Sequence, residues 1–278
     1  MAKNTVFNYI QRESVVHALT GTTKLVFFLL FTFATMLTYD TRVLLVLLVL
    51  SFCLFSLSKI KFSEVRGVFI FLLVFLLLNN FFVYIFSPDY GTELYGTRHL
   101  LFSMGKRLPV TSETLFYLFN LTLKYVVALP IAIMFISTTD PSEFAASLNS
   151  VGVSYKVGYS VAIALRYIPD IQRDYHNISQ AQQARGIELG KNEKLAQRLK
   201  NAVKILIPLI MASLARIDVI SNAMLLRGFG KDKKKRTWYV RRPFVKRDYI
   251  AMAFGVLILV FSIIVTYYDG NRFYNPFI

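Results

Sequence analysis

Residues 67–86 read GVFIFLLVFLLLNNFFVYIF. Twenty consecutive positions carry no charge, and the only strongly polar side chains are Asn79 and Asn80. As a helix rising about 1.5 Å per residue, this stretch is about 30 Å long, the thickness of a bilayer's hydrocarbon core. The whole chain shares the bias. Its 278 residues are 55% hydrophobic and only 17% charged, where an ordinary soluble domain has about 25% charged residues. The reading is an all-α integral membrane protein.

Four more apolar runs accompany the first, at 25–39, 43–58, 114–137 and 249–268. Together they predict about five transmembrane helices. The first two runs are short and are separated by Tyr39-Asp40-Thr41-Arg42. A tight helical hairpin is expected there, because a charged pair in mid-membrane is costly. The expected organisation is an N-terminal transmembrane bundle over 1–137, a polar segment at 138–248 at the cytoplasmic membrane surface, and a last span in 249–278. Lys124, inside a span, is expected to pair with a neighbouring helix or a shallow polar pocket. Asn79 and Asn80 are expected to form interhelical hydrogen bonds. Cys53 stands alone, which excludes an internal disulfide framework.

The net charge of +16 is unevenly spread. With the N-terminus in the cytoplasm, 26 lysines and arginines fall inside and 5 outside, with Lys124 left within a span. The positive-inside rule then places the N-terminus in the cytoplasm and the C-terminus outside.

The polar segment reads as consecutive helices. Asp140-Pro141-Ser142-Glu143 is a helix start, and that helix is expected to end at Val151-Gly152. A second helix starts at Ser154 and carries Val157, Val161 and Leu165 on one face; Pro169 is expected to bend or restart it. A third begins near Asn192 and contains the apolar stretch 203–215, with Leu206, Leu209, Ile210 and a bend at Pro208. That stretch is too short to span a bilayer and suits burial at the membrane surface or against the other long helix. The basic run KDKKKR at 231–236 fits either a solvated face or an anchor to anionic lipid.

Both long helices finish alike: Ala184-Arg185-Gly186 and Leu226-Arg227-Gly228. One Arg-Gly end is ordinary capping, since Gly accepts φ > 0 and Arg interacts favourably with the helix dipole. Two copies on a basic module suit docking. Arg offers a planar fork for carboxylates, Gly permits close approach, and Ala184 and Leu226 are apolar plugs. The arrangement suits a partner with two similar halves.

These residues, with STTDPSEF (137–144) and LRYIPDI (165–171), resemble the transmembrane T component of energy-coupling factor transporters, EcfT, over most of the chain. HALTGTTK (17–24) departs from the Asp-Pro-Arg pattern of the cobalt-type branch, which favours the vitamin-type module. The resemblance implies a non-catalytic subunit with no cofactor of its own. ATP and Mg would be bound by two partner ATPases of the EcfA and EcfA′ type. A separate substrate-binding S component, exchangeable among several, would supply vitamin specificity. Arg185 and Arg227 would each engage one ATPase, and the apolar helix faces would meet the S component. The rival classes are a conventional ABC permease with its own substrate path, a lipid-modifying enzyme and a nucleic-acid binder. Against the enzyme, acids are scattered and His17, His99 and His176 lack ligand spacing. Asp170 and Asp174 share a face, but Arg166 and Arg173 beside them point to ion pairs.

Overall fold

In the computed structural model, residues 12–103, 109–187, 195–229, 238, 242–268 and 273–276 are described. The basic run at 231–236 lies outside them. The chain divides into two compact units: Met1–Ser147 with Arg242–Ile278, and Leu148–Arg241.

The first unit is a helical bundle. Its helices are α1 (Gly21–Leu37), α2 (Thr41–Leu57), α3 (Phe62–Phe86), α4 (Tyr90–Tyr95), α5 (Ser112–Thr138) and α9 (Lys246–Tyr268). It also holds the first residues of α6 (Pro141–Ser150). Helices α3, α5 and α9 have the length and composition to cross a membrane. Helices α1 and α2 are equally apolar but have 17 residues each, the lower end of the spanning range. The Tyr39–Arg42 break separates α1 from α2 as expected, but the two do not form a tight hairpin: each packs on α5, not on the other. The Asp40 carboxylate accepts from the Arg42 N–H at 2.9 Å, starting α2, and pairs with the Arg42 guanidinium at 2.7 Å. A small antiparallel ribbon, β1 (Leu100–Ser103) with β2 (Pro109–Thr111), lies between α4 and α5. Neither the ribbon nor α4 is visible in the sequence, since both are too short to show a period.

The core sits where α1 packs against α5 and α9 and α2 packs against α5. Phe31, Ala34, Val43, Leu44, Leu47, Val127 and Ile131 are essentially inaccessible there. In lipid such contacts are held by close packing and by polar cross-links, because tails are as apolar as Leu. The cross-links are present. Thr41 Oγ1 donates to Asn120 Oδ1 at 2.7 Å, Ser262 Oγ to the Ala34 carbonyl at 3.1 Å, and Asn80 Nδ2 to Thr122 Oγ1 at 2.5 Å. The Asn80 bond joins α3 to α5. Asn79 is half-buried, and no hydrogen bond to its side chain is found among the described residues.

Lys124 is buried. Its ammonium donates to the Met36 carbonyl at 2.8 Å, in the last turn of α1, and lies 3.5 Å from the centre of the Tyr39 ring. A cation at a helix C-terminus is favoured by the dipole, and the ring face adds a cation–π attraction. Lys124 therefore closes the end of a short helix. Lys124→Met should lower the chain's stability by about 1–3 kcal/mol, since the bond from the buried ammonium to the last turn of α1 is lost. Thermal melting in detergent reads this, and an unchanged midpoint would remove Lys124 from that role.

The second unit contains the end of α6, then α7 (Tyr155–Ala184) and α8 (Leu195–Leu226). Ser154 caps α7. Helix α7 is one 30-residue helix that runs through Pro169 without restarting, and α8 likewise contains Pro208. Pro169 is exposed, so water can satisfy the carbonyl its ring leaves without a donor.

Candidate docking surface and a polar cluster in the first unit

Helices α7 and α8 run antiparallel. Asp174 on α7 pairs with Arg216 on α8 at 2.5 Å, and that guanidinium lies 5.8 Å from the centre of the Tyr167 ring. Nearer the start of α7, Tyr159 packs on Phe229 just past α8, with ring centres 4.9 Å apart, and Trp238 lies 5.2 Å from Tyr155. Asp170 pairs with Arg173, as its spacing predicted. Asp174 instead finds its partner on the neighbouring helix, a contact that no local spacing contains.

The two Arg-Gly ends have the same backbone geometry. Gly186 has φ +81 and Gly228 φ +71. At the end of α7, the Gly186 N–H donates to the Gln183 carbonyl at 2.9 Å and the Ile187 N–H to Gln182 at 3.1 Å. At the end of α8, Gly228 donates to Leu225 at 3.0 Å and Phe229 to Met224 at 2.9 Å. Each is a Schellman motif, with Arg as the cap residue and Gly in the left-handed position. The motif alone is not distinctive, because α6 ends the same way at Gly152 (φ +104), where Val151 stands in place of Arg. What sets the two long helices apart is the arginine.

Ala184, Arg185, Gly186, Leu226 and Arg227 are exposed and Gly228 is half-buried. Leu226 is 89% exposed, extreme for a leucine. Among the described residues no carboxylate pairs with Arg185 or Arg227. Because α7 and α8 are antiparallel, the two arginines stand at opposite ends of the pair, roughly 35 Å apart at 1.5 Å per residue.

The apolar surface residues divide. On α7, Val157 is exposed and Val161 and Leu165 are half-buried. On α8, Leu209 is buried at 9% and Ile205 at 1%, while Leu206 and Ile210 are exposed. The exposed apolar residues form a stripe, Val203, Leu206, Ile210, Leu214 and Ile217, at three- and four-residue steps. Helix α8 thus has two apolar faces, one turned inward and one open.

The first unit adds a cluster built from HALTGTTK and STTDPSEF, two segments that local spacing does not bring together. In HALTGTTK, Lys24 donates to the Thr138 carbonyl at the end of α5 (2.7 Å) and lies 3.9 Å from Glu143. Glu143, from STTDPSEF, also pairs with Arg242 at 3.1 Å. Asp248, 1% exposed, accepts from the backbone N–H groups of Thr20 and Val245, each at 2.9 Å. A Cβ on Gly21 would stand 3.0 Å from the Glu143 carbonyl, so only Gly lets α1 start this close to α6. The starts of α1, α6 and α9 are thereby tied together, and the ties include Glu143 and Arg242, which flank the second unit in the sequence. A signal was available: two segments dense in Thr, Asp, Glu and Lys, each at a helix boundary of an otherwise apolar chain.

Residues 12–238 match the family model CbiQ, described as cobalt transport protein, and the chain belongs to that family. The matched stretch holds both Arg-Gly ends but stops short of Arg242 and Asp248. Within the family the chain is similar over nearly its whole length to energy-coupling factor transporter transmembrane proteins, EcfT. The EcfT of Lactococcus lactis subsp. cremoris is 26% identical over 266 residues, covering 92% of this chain and 95% of its own. That of Streptococcus equi subsp. equi is 27% identical over 279 residues, covering 94% and 96%. That of Thermotoga maritima is 25% identical over 264 residues, covering 91% of each. The chain is accordingly a multi-pass membrane component of a transporter of the energy-coupling factor type.

Two outcomes check the geometry. Gly186→Ala and Gly228→Ala should each cost about 1 kcal/mol, because a Cβ disfavours the left-handed conformation. The Ile187 and Phe229 amides should then exchange hydrogen faster, as mass spectrometry would show. Asp248→Ala should lower stability by about 2 kcal/mol or more, leaving two backbone donors unpaired. A thermal midpoint equal to the parent's would dissolve the proposed tie.

Proposed function

We propose that this chain is the energy-coupling subunit of an ECF-type ABC importer, set in the bacterial cell membrane with its N-terminus cytoplasmic and its C-terminus outside. Two ATPase subunits, of the EcfA and EcfA′ type, dock on the Arg185 and Arg227 ends. ATP and Mg are bound by those partners, and this chain brings no cofactor. A separate S component binds the vitamin or other micronutrient and meets this chain through the open apolar stripe of α8 and the exposed Val157 side of α7.

The observation that carries the reading is the pair of equivalent arginine ends at opposite limits of one antiparallel helix pair, both exposed and both without an acidic partner among the described residues. An isolated guanidinium beside an apolar plug is suited to a carboxylate-lined groove with an apolar floor, and charge-assisted forks are among the stronger polar contacts. Two such points spaced roughly 35 Å apart by a rigid pair convert relative motion of two docked subunits into movement of the helices themselves. The Asp174–Arg216 bridge and the Tyr159–Phe229 packing make the pair move as one lever. The Asp-Pro-Arg departure in HALTGTTK supports an organic micronutrient over cobalt as cargo.

Arg185→Glu and Arg227→Glu should each reduce recovery of the ATPase pair severalfold when the tagged chain is pulled down from cells expressing the complex. The double variant should abolish both recovery and coupled uptake. Both side chains are exposed, so folding should be unaffected. Undiminished ATPase recovery together with unchanged uptake would sink the reading.

A further inference from the structure

At the end of the first unit that carries the α2–α3 turn, a cavity of about 830 Å³ is lined by Arg12, Ser14, His17, Leu57, Lys59 and Arg247, among others. Its permanent charges are three cations, Arg12, Lys59 and Arg247, against one carboxylate, Glu13. Arg12 is held in place by Glu64 at 2.6 Å and by the Lys59 carbonyl. Lys59 and Arg247 have no ion-pair partner among the described residues. Ser14 Oγ and His17 Nδ1 are hydrogen-bonded at 2.7 Å on the same wall. Among the described residues Lys59 is the one non-glycine with positive φ, +58, and its N–H is bonded to the Ser56 carbonyl at 3.0 Å. A tight turn that would suit glycine therefore carries a cation at the cavity.

Apolar surface leads away from this basic pocket along two helices. On α2, Ser56 and Leu57 line the cavity, and Cys53, Phe52 and Val49 follow one and two turns further along, all exposed. On α9, Arg247 lines it, and Ile250, Phe254 and Leu257 follow, all exposed. A basic pocket at the end of membrane helices, with apolar rails running from it, matches an amphiphile whose head is an anion.

We propose that this cavity seats the headgroup of an anionic glycerophospholipid. Its phosphate is held by Lys59 and Arg247, and its acyl chains lie along the exposed faces of α2 and α9. A free phosphate would use the same cations but not the rails. The site is independent of ATPase docking, since none of its residues belongs to the Arg-Gly ends.

The test uses the purified full chain in a neutral detergent, titrated with phosphatidylglycerol or with phosphatidylcholine of the same acyl chains, with bound lipid counted by native mass spectrometry. Phosphatidylglycerol should bind roughly tenfold more tightly than phosphatidylcholine. Lys59→Gly combined with Arg247→Gln should erase that preference, while Arg247→Lys should keep it. Glycine suits the positive φ at 59, so the fold should tolerate the change. Should the double variant still fail to fold, Arg247→Gln alone, at an exposed position, should cost severalfold. Millimolar inorganic phosphate should not displace the lipid. Equal binding of the two lipids by the parent, or an undiminished preference in the variants, would overturn the site. Displacement by phosphate would overturn its assignment to lipid.

Discussion

Two lysines hold this bundle by closing each other's helices. Lys24, near the start of α1, donates to the carbonyl of Thr138 at the end of α5. Lys124, in α5, donates to the carbonyl of Met36 at the end of α1. In a bilayer no water is available to satisfy the last carbonyls of a helix, so each must find a donor within the protein. Here the donors are exchanged between two antiparallel neighbours. The exchange sets their axial register at two points, one at each end of α1. Helix α2 packs on α5 and helix α9 on α1, so the pair lies between them. A lysine in a span is costly when it faces lipid; at the negative end of a neighbouring helix its charge becomes the cross-link.

The Lys24 end of that exchange also governs how the chain leaves the membrane unit. Glu143 sits beside Lys24 and Arg242 beside Glu143, so the outgoing and returning segments are tied to the start of α1. The cluster thus holds together, within the first unit, the two positions between which the second unit is inserted in the sequence.

Much of this was legible in the residues, for identifiable reasons. Five apolar runs became five helices within a few residues, because a bilayer imposes length and composition. The Tyr39–Arg42 break followed from the cost of burying charge, and the Gly-ended helices from the left-handed preference of glycine. The misses share a different cause. The ribbon at 100–111 and α4 are too short for a period to show. The Asp174–Arg216 bridge and the Lys24–Glu143–Arg242 tie join residues far apart in the chain, and sequence spacing holds no information about such meetings. Pro169 shows the limit of a local rule: the lost hydrogen bond is real, but an exposed helix of 30 residues absorbs it. As for the docking surface, the arginines were visible as a repeated motif, whereas their placement at opposite ends of one pair required the antiparallel packing.

The unequal lengths of the spans carry a consequence for the surrounding lipid. Helices α1 and α2, at 17 residues, extend about 25 Å, while α3 and α5, at 25 and 27, extend roughly 37–40 Å. A bilayer has one preferred thickness near 30 Å, and deviations cost fractions of a kcal/mol per Å. Spans of such different length favour thinner lipid against α2, unless flanking polar side chains reach to the interface, and thicker lipid against α3, unless that helix tilts. Unequal spans of this kind favour a gradient of thickness in the surrounding lipid. A second membrane protein whose spans match one side of that gradient would be drawn to that side before any specific contact forms.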